Sequence, residues 1–553
     1  MSLSRWRISP LHLLLFICVV AGAVRIYLVA DRPLNYDEYW HLFIAQQDTR
    51  EGLAREWRLS GHPPLYYWLL RIPVSLARGP LLDRSISLLA GVLAVWVIGR
   101  ILAKMAKDTM VAPLGAFAFA LAPSAVFISS EVRSYMLCTL FLLVAFGEYV
   151  RLVEGPPSFQ GLAIFSGASC LALVSHYFTV FFLAAALAVA VWIAAARLSA
   201  GKRHALRGRW VAAAAAAALP ILGVGTFLYR EHLRGQAGRQ DHLSSFYYRP
   251  ESGESLLHYL VGALWNAFNL FAPIPVGPSG APAVFAVCLT LLAGALIYLF
   301  SVRWRAESAV RALPLAFLMV LAVALLAASV RGAYPFGGSL RQQFILFPFL
   351  LLTGFMLLDS MLSKRPRLRQ PLIAIVLLGV CVNSGLGLPR MLAHTRSSFE
   401  GMFAREMSLH QAAFPDPGAV YLDQFSLIVF FAHHDRWRWR SLDANTYGVT
   451  RDGREVVVML DERRRWNLDT LDAVLYEDLS RRLSSLRLRS TTVFSIRYPF
   501  PTRPQTLAER ETIRLEVPAL AALAHLEMDR LILDGFNVFA QFVVREAVPA
   551  GPR

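Results

Sequence analysis

Apolar residues in this chain come in long blocks. A helix crossing a bilayer needs about 20 mostly apolar residues. Stretches of that kind occupy 11–30, 85–103, 110–129, 134–152, 161–176, 178–196, 210–228, 282–302, 312–330, 343–361 and 371–389. The pattern predicts a mostly α polytopic membrane protein with about eleven spanning helices. Beyond residue 390 the apolar positions become intermittent. β-rich runs at 419–424 (AVYLDQ), 455–460 (EVVVML), 491–498 (TTVFSIRY) and 537–544 (NVFAQFVV) alternate with helical spacing at 470–486 and 518–533. We therefore expect a transmembrane domain over 1–390 and a soluble C-terminal α/β domain over 391–553.

The polar residues between the blocks give an orientation. Arg5 and Arg7 precede the first block. Later clusters are Arg100/Lys104/Lys107, Arg197/Lys202/Arg203/Arg207/Arg209, Arg303/Arg305/Arg311 and Lys364/Arg365/Arg367/Arg369. If successive spans alternate in direction, all of them fall on one side, and the enrichment of Lys and Arg in cytoplasmic loops makes that side the cytoplasm. The loop 31–84, the turns near Glu131 and His176, the loop 229–281, the turn 331–342 and the C-terminal domain then face outward across an inner or plasma membrane. The first block carries the small residues Ala21-Gly22-Ala23 of a signal peptide, but it is long and leads into further spans, so it reads as an uncleaved anchor. The stretches 39–57 and 254–272 are amphipathic at helical spacing and are expected in the outer interface, aromatics toward lipid or packed on the bundle.

Composition narrows the function. The chain is 56% hydrophobic and 17% charged, against roughly a quarter charged in soluble domains. Its formal net charge of +17 comes largely from the orienting clusters, so nucleic acid is not an expected partner, whereas membrane lipids are. Cys18, Cys138, Cys170, Cys288 and Cys381 all lie in apolar stretches without CxxC spacing, which leaves neither a disulfide framework nor a zinc knuckle. There is no GxGxxG, Walker loop or HExxH. A group transferred on the outer side must therefore arrive already attached to a carrier.

Chemistry-bearing residues gather on that outer side. LNYDEYW places Asp37 and Glu38 together after the first span, and GHPPLYYWLLR presents His62 ahead of two prolines and of Tyr66 and Tyr67. SSEVRSYML sets Glu131, Arg133 and Tyr135 where the third span meets the surface. SHYFTVF puts His176 and Tyr177 at a hairpin, and YPFGGSLRQQF brings Arg341 to the start of a late span. Taken singly, each has a plain reading: Arg133 pairing with Glu131, His176 satisfying a helix end, Arg341 snorkelling to head groups. Together, carboxylate, histidine, tyrosine and arginine at a lipid–water boundary can deprotonate a hydroxyl and hold a leaving phosphate.

The order of these motifs resembles the GT-C glycosyltransferases, in particular the relatives of protein O-mannosyltransferases and of the aminoarabinose and galacturonic acid transferases that modify lipid A. The resemblance covers about residues 1–390, with HPPLYY and the upstream Asp-Glu its most specific parts. It implies a polyprenyl-phosphate-linked sugar as donor and transfer with inversion to a lipid, glycan or protein acceptor in the cell envelope. Asp37 would be the general base or an acceptor-orienting carboxylate, Glu38 its positioning partner or a cation ligand, and Arg133 and Arg341 the groups that neutralise the departing phosphate. Tyr66 and Tyr67 would line the sugar pocket, with His62, Glu131, Tyr135, His176 and Tyr177 as further substrate-binding candidates. Some relatives carry an acid and a lysine before the proline, and that acid helps bind a metal; here Gly61 and His62 stand in those places. A divalent metal held by His62, His232, His242 or His258 is left open. The rival readings are a transporter or lipid flippase, which predicts broken helices, mid-membrane charges and repeat symmetry, and a scaffold presenting the C-terminal domain, which has no use for the acid pair.

Overall fold

The computed structural model describes residues 9–30, 32–155, 158–199, 208–234, 247–248, 255–260, 262–263, 306–336, 339–390, 418–451, 453–463, 473–496, 506–533 and 537–544. The chain divides into two compact units. One comprises residues 1–32 and 58–394, the other 33–57 and 395–553.

The first unit is helical and membrane-spanning. Each predicted apolar block falls on a helix except 282–302, which lies outside the described residues. Among the described residues six helices are long and apolar enough to cross a membrane, or seven if a bent pair counts as one span. Phe159–Leu173 and Thr179–Ala195 are apolar but shorter, so the described residues do not reach the expected eleven. The bent pair is Val111–Leu121 followed by Pro123–Ser129, turned by 60°. Pro123 supplies no amide hydrogen and its ring obstructs the preceding turn, which breaks the helix there.

A break inside a bilayer frees carbonyls that lipid cannot satisfy. Arg25, fully buried in the helix Pro10–Ala30, answers this one. Its Nη1 donates to Ala120 O at 2.9 Å and its Nε to Ser129 Oγ at 2.8 Å, one on each side of the bend. Gly91 makes room for the contact, since a Cβ there would meet Ser129 Cβ at 2.6 Å and Arg25 Nε at 2.9 Å. At the other end of the helices, Asp359 accepts from the amides of Lys107 and Asp108 at 2.9 and 2.8 Å and pairs with Arg311 at 3.0 Å, while Asp108 takes Arg369 at 2.7 Å. Members of three predicted cytoplasmic basic clusters therefore meet at one end.

The second unit is built on a seven-stranded mixed sheet of order β2-β3-β4-β1-β5-β7-β6. Its strands are β1 (Ala419–Leu422), β2 (Arg438–Ser441), β3 (Thr446–Arg451), β4 (Arg454–Leu460), β5 (Ser490–Ile496), β6 (Leu526–Leu533) and β7 (Asn537–Val544). β1 runs parallel to β4 and β5, and the remaining pairs are antiparallel. Alternate strand residues point to opposite faces. Tyr421 and Met459 join a core with Leu475, Leu479 and Leu483 of the helix Ala473–Ser485 and with Ile513, Val517 and Ala521 of the helix Leu507–Leu523.

Two expectations change here. The segment 518–533 is not one helix: the helix ends at Leu523, His525 takes a left-handed φ of 58°, and β6 begins at Leu526. The stretch 39–57 lies in helices Tyr36–Ala45 and Arg50–Leu59, and Tyr36, Tyr39 and Phe43 of the first face the sheet domain's own aromatics, where lipid or the bundle was expected. The segment 254–272 is described only at 255–260 and 262–263, so its expected interfacial helix lies largely outside the described residues.

Candidate active site

In the spanning unit the cluster grows from helix ends. Immediately beyond the bent pair comes Glu131, fully buried. Its carboxylate takes the fork of Arg341, Nε to Oε2 at 3.0 Å and Nη2 to Oε1, and it also lies 3.7 Å from Arg32 Nη2. Arg32, at the end of the first span, donates through Nη1 to Ser130 O at 3.2 Å and stands 5.2 Å over the Phe127 ring. Arg84, fully buried at the start of the helix Ser85–Met105, donates to Arg32 O at 2.8 Å. A single carboxylate thus meets two guanidiniums.

Arg133 does not pair with Glu131. Its Nη1 donates to His62 Nε2 at 2.9 Å. His62 is brought there because the amide of Leu65, just past the two prolines, donates to Val174 O at 3.0 Å and so ties this segment to the His176 hairpin. The rings of His62, Tyr135 and His176 then lie together, with centroids 5.6 Å apart for His62–Tyr135, 5.1 Å for His62–His176 and 4.6 Å for Tyr135–His176. Burial and the charge of Arg133 push the His176 pKa down to about 3. Its Nδ1 accepts from the Phe178 amide at 3.1 Å, so the ring is a neutral acceptor and the cations here are arginines.

The tyrosines are spoken for in different ways. Tyr66 and Tyr67 are fully buried. Tyr66 bonds Ser87 Oγ at 2.9 Å, and Ser87 donates onward to Arg133 O at 3.0 Å. Tyr177 bonds His232 Nδ1, and His232 Nε2 contacts Ser60 O at 2.7 Å. A carbonyl can only accept, so Nε2 carries the proton and Tyr177 is the donor to Nδ1. Burial, and then the nearby Tyr67, raise the Tyr177 phenol above its usual value.

Asp37 and Glu38 belong to the other unit. Asn35 caps their helix through a reciprocal pair of bonds: Glu38 N donates to Asn35 Oδ1 at 3.0 Å, and Asn35 N donates to Glu38 Oε2 at 2.9 Å. Glu38 is fully buried in this box, whereas Asp37 is half-buried, its main-chain oxygen bonding His41 Nδ1 at 2.8 Å. Among the described residues no three of His, Cys, Asp or Glu come together as a metal site needs. His232 already uses both ring nitrogens, His258 is exposed, and His242 lies outside the described residues.

Sequence reasoning passed over Arg32 and Arg84. Both stand on the side that the Lys/Arg asymmetry assigns as outer, where orientation gives no reason for arginine. That misplacement was the available signal.

No family model matches the chain, and no curated protein matches it. Among solved structures it is similar to ArnT from Cupriavidus metallidurans bound to undecaprenyl phosphate, 13% identical over 98% of this chain and 99% of that one, with a TM-score of 0.44. It is also similar to the Archaeoglobus fulgidus oligosaccharyltransferase in complex with Zn and sulfate, 13% identical over 86% of this chain and 67% of that one, TM-score 0.45. Overlaps this shallow leave the functional reading to rest on the residues themselves.

Proposed function

We propose that this integral membrane protein is a glycosyltransferase that moves a sugar from a polyprenyl-phosphate donor to an acceptor outside the cytoplasm, with inversion at the sugar. The observation that carries the reading is the arginine cluster at the helix ends: Arg32 and Arg341 on a buried Glu131, with Arg133 held by His62. It has the charge and the forked donors that a departing phosphate requires. The motif order of Asp37-Glu38, HPPLYY and Glu131-x-Arg133 supports the same chemistry.

In this reading the acceptor oxygen attacks the anomeric carbon and its proton passes to the Asp37 carboxylate. The bond from that carbon to the phosphate oxygen breaks, and the electron pair leaves on the polyprenyl phosphate, where Arg133 and Arg341 offset the charge. His62, accepting from Arg133 through Nε2, holds it without adding a charge that must be desolvated.

A transporter draws on one observation, the bent pair with the buried Arg25 beside it. Arg25, however, lies five residues from the end of its helix, roughly 8 Å at the α-helical rise, and its bonds close the break instead of facing a path. Mass spectrometry of lipids, glycans and exported proteins from cells with and without the gene separates the two. Loss of a sugar modification supports the transferase; unchanged sugars with a redistributed lipid or solute support the transporter.

A further inference from the structure

The helix Tyr36–Ala45 has ten residues, fewer than the roughly 12–15 that hold a helix in water unaided. Its stability must come from what it packs against, and that is the sheet domain hundreds of residues later in the chain. Tyr36 stacks on Phe425 at 4.4 Å with planes 13° apart. Tyr39 meets Phe431 edge-on at 6.5 Å, and Phe43 meets Phe431, Trp439 and Tyr447 at 5.4, 5.8 and 5.6 Å. These contacts recur every three or four residues and define one face of the helix. The following segment is tied by polar bonds: Tyr447 OH donates to Glu56 Oε1 at 2.8 Å, Arg55 Nη2 donates to Tyr447 OH at 3.2 Å, and the Ser441 amide donates to Asp48 Oδ1 at 3.3 Å.

The receiving surface is made for this load. The helix Gln424–His433 is buried almost throughout, and β2, an edge strand, turns Trp439 inward while Arg438 and Arg440 stay exposed. In the run DRWRWR (435–440), residues 435–437 turn the chain into β2 and the last three alternate along it, Trp439 supporting the helix while Arg438 and Arg440 keep the sheet edge soluble.

We propose that the C-terminal domain is the mount for the acid pair: Phe425, Phe431, Trp439 and Tyr447 are positioning residues that fix the helix carrying Asp37 and Glu38. The catalytic part of this inference rests on the transferase reading; the mounting itself does not. Because of this coupling, the domain sets turnover, while donor binding remains with the arginines of the spanning unit.

The test uses the full-length protein in detergent, with Phe425→Ala, Trp439→Ala and Tyr447→Phe. Amide exchange is followed at residues 38–45 and at the strands 419–422 and 454–460. The mount predicts that exchange at 38–45 accelerates by about tenfold or more in the ring deletions, as expected for losing aromatic pairs, with the strands still protected and with Trp439→Phe restoring part of the protection. Turnover falls by a similar factor while the donor KM holds. Tyr447→Phe, which keeps the ring and removes only the hydroxyl bonds, should loosen 50–57 even if the larger deletions fail to fold. Unchanged exchange at 38–57 in the folded variants would overturn the mount, and accelerated exchange with wild-type turnover would overturn its positioning role. A wild-type protein that transfers no sugar, yet shows the coupled exchange, would sink the transferase reading and leave the mount standing.

Discussion

Glu131 and Asp37 are carboxylates assigned to one reaction, yet they live under opposite conditions. Glu131 is fully buried between Arg341 and Arg32, and its charge is affordable there only because two guanidiniums offset its desolvation. Asp37 is half-buried on the first turn of a helix anchored by aromatic rings and by the Asn35–Glu38 box. The first arrangement is a fixed electrostatic frame. The second sets a carboxylate at the start of a helix, on a segment whose position is fixed by its packing.

The sharpest way to break this contrast is to remove the centre of the frame. Glu131→Ala strands two arginines and should destabilise the protein by about 3–5 kcal/mol, read as a large fall in the melting temperature of the detergent-solubilised protein. An unchanged melting temperature would mean that the cluster is solvated and is no frame. Arg341→Ala comes next: losing one charged partner of a bound phosphate costs about 2–5 kcal/mol of donor affinity. Since Arg341 also supports Glu131, Arg341→Lys is the cleaner probe, keeping the charge and losing the fork; donor affinity measured by titration should fall between wild type and Arg341→Ala.

His176 sharpens the comparison through pH. Its folded pKa of about 3 lies below the ordinary 6.5, so between these values the unfolded chain takes up a proton that the native site refuses. Stability is therefore complete above about pH 6.5 and declines as the pH falls toward 3, by up to about 1.4 kcal/mol per pH unit. In His176→Asn this slope should shrink, as followed by denaturation between pH 7 and pH 5. The smallest effect belongs to the acid-bearing helix: Asn35→Ala removes one side of the cap and should cost about 0.5–2 kcal/mol of local stability, seen as faster amide exchange at 38–45 with the spanning helices unchanged.

What could be read from the sequence follows the range of the forces involved. Apolar blocks report burial in lipid directly, which is why the helices at 85–105, 135–154 and 346–364 were visible. The bend at Pro123 was not, because its cost is met by Arg25, nearly a hundred residues upstream. The segment 518–533 was misread because Leu520, Leu523, Leu526 and Leu531 keep near-helical spacing across a turn that only the backbone of His525 reveals. At the site, the motifs marked Glu131, Arg133, His62 and His176 correctly as neighbours of helix ends. The pairing was beyond them: Glu131 chose Arg341 and Arg32, and Arg133 chose His62, because partners across a bundle are set by packing and not by local spacing. The stretch 39–57 reads equally as facing lipid or packed on the bundle, since an apolar helix face has the same pattern whatever covers it, and Tyr39 and Phe43 meet the sheet domain's rings instead.

The central claim is that Asp37 accepts the proton of the attacking hydroxyl, and Asp37→Asn tests it most directly, since the amide keeps the shape and removes the base. Purified wild-type and Asp37→Asn proteins would be compared for sugar transfer from a polyprenyl-phosphate donor and for donor binding. The account predicts a fall in transfer of roughly a hundredfold or more, the usual scale for losing a general base, with donor affinity retained. An Asp37→Asn protein that transfers sugar at the wild-type rate would contradict it and return the carboxylate to an ordinary first-turn acid.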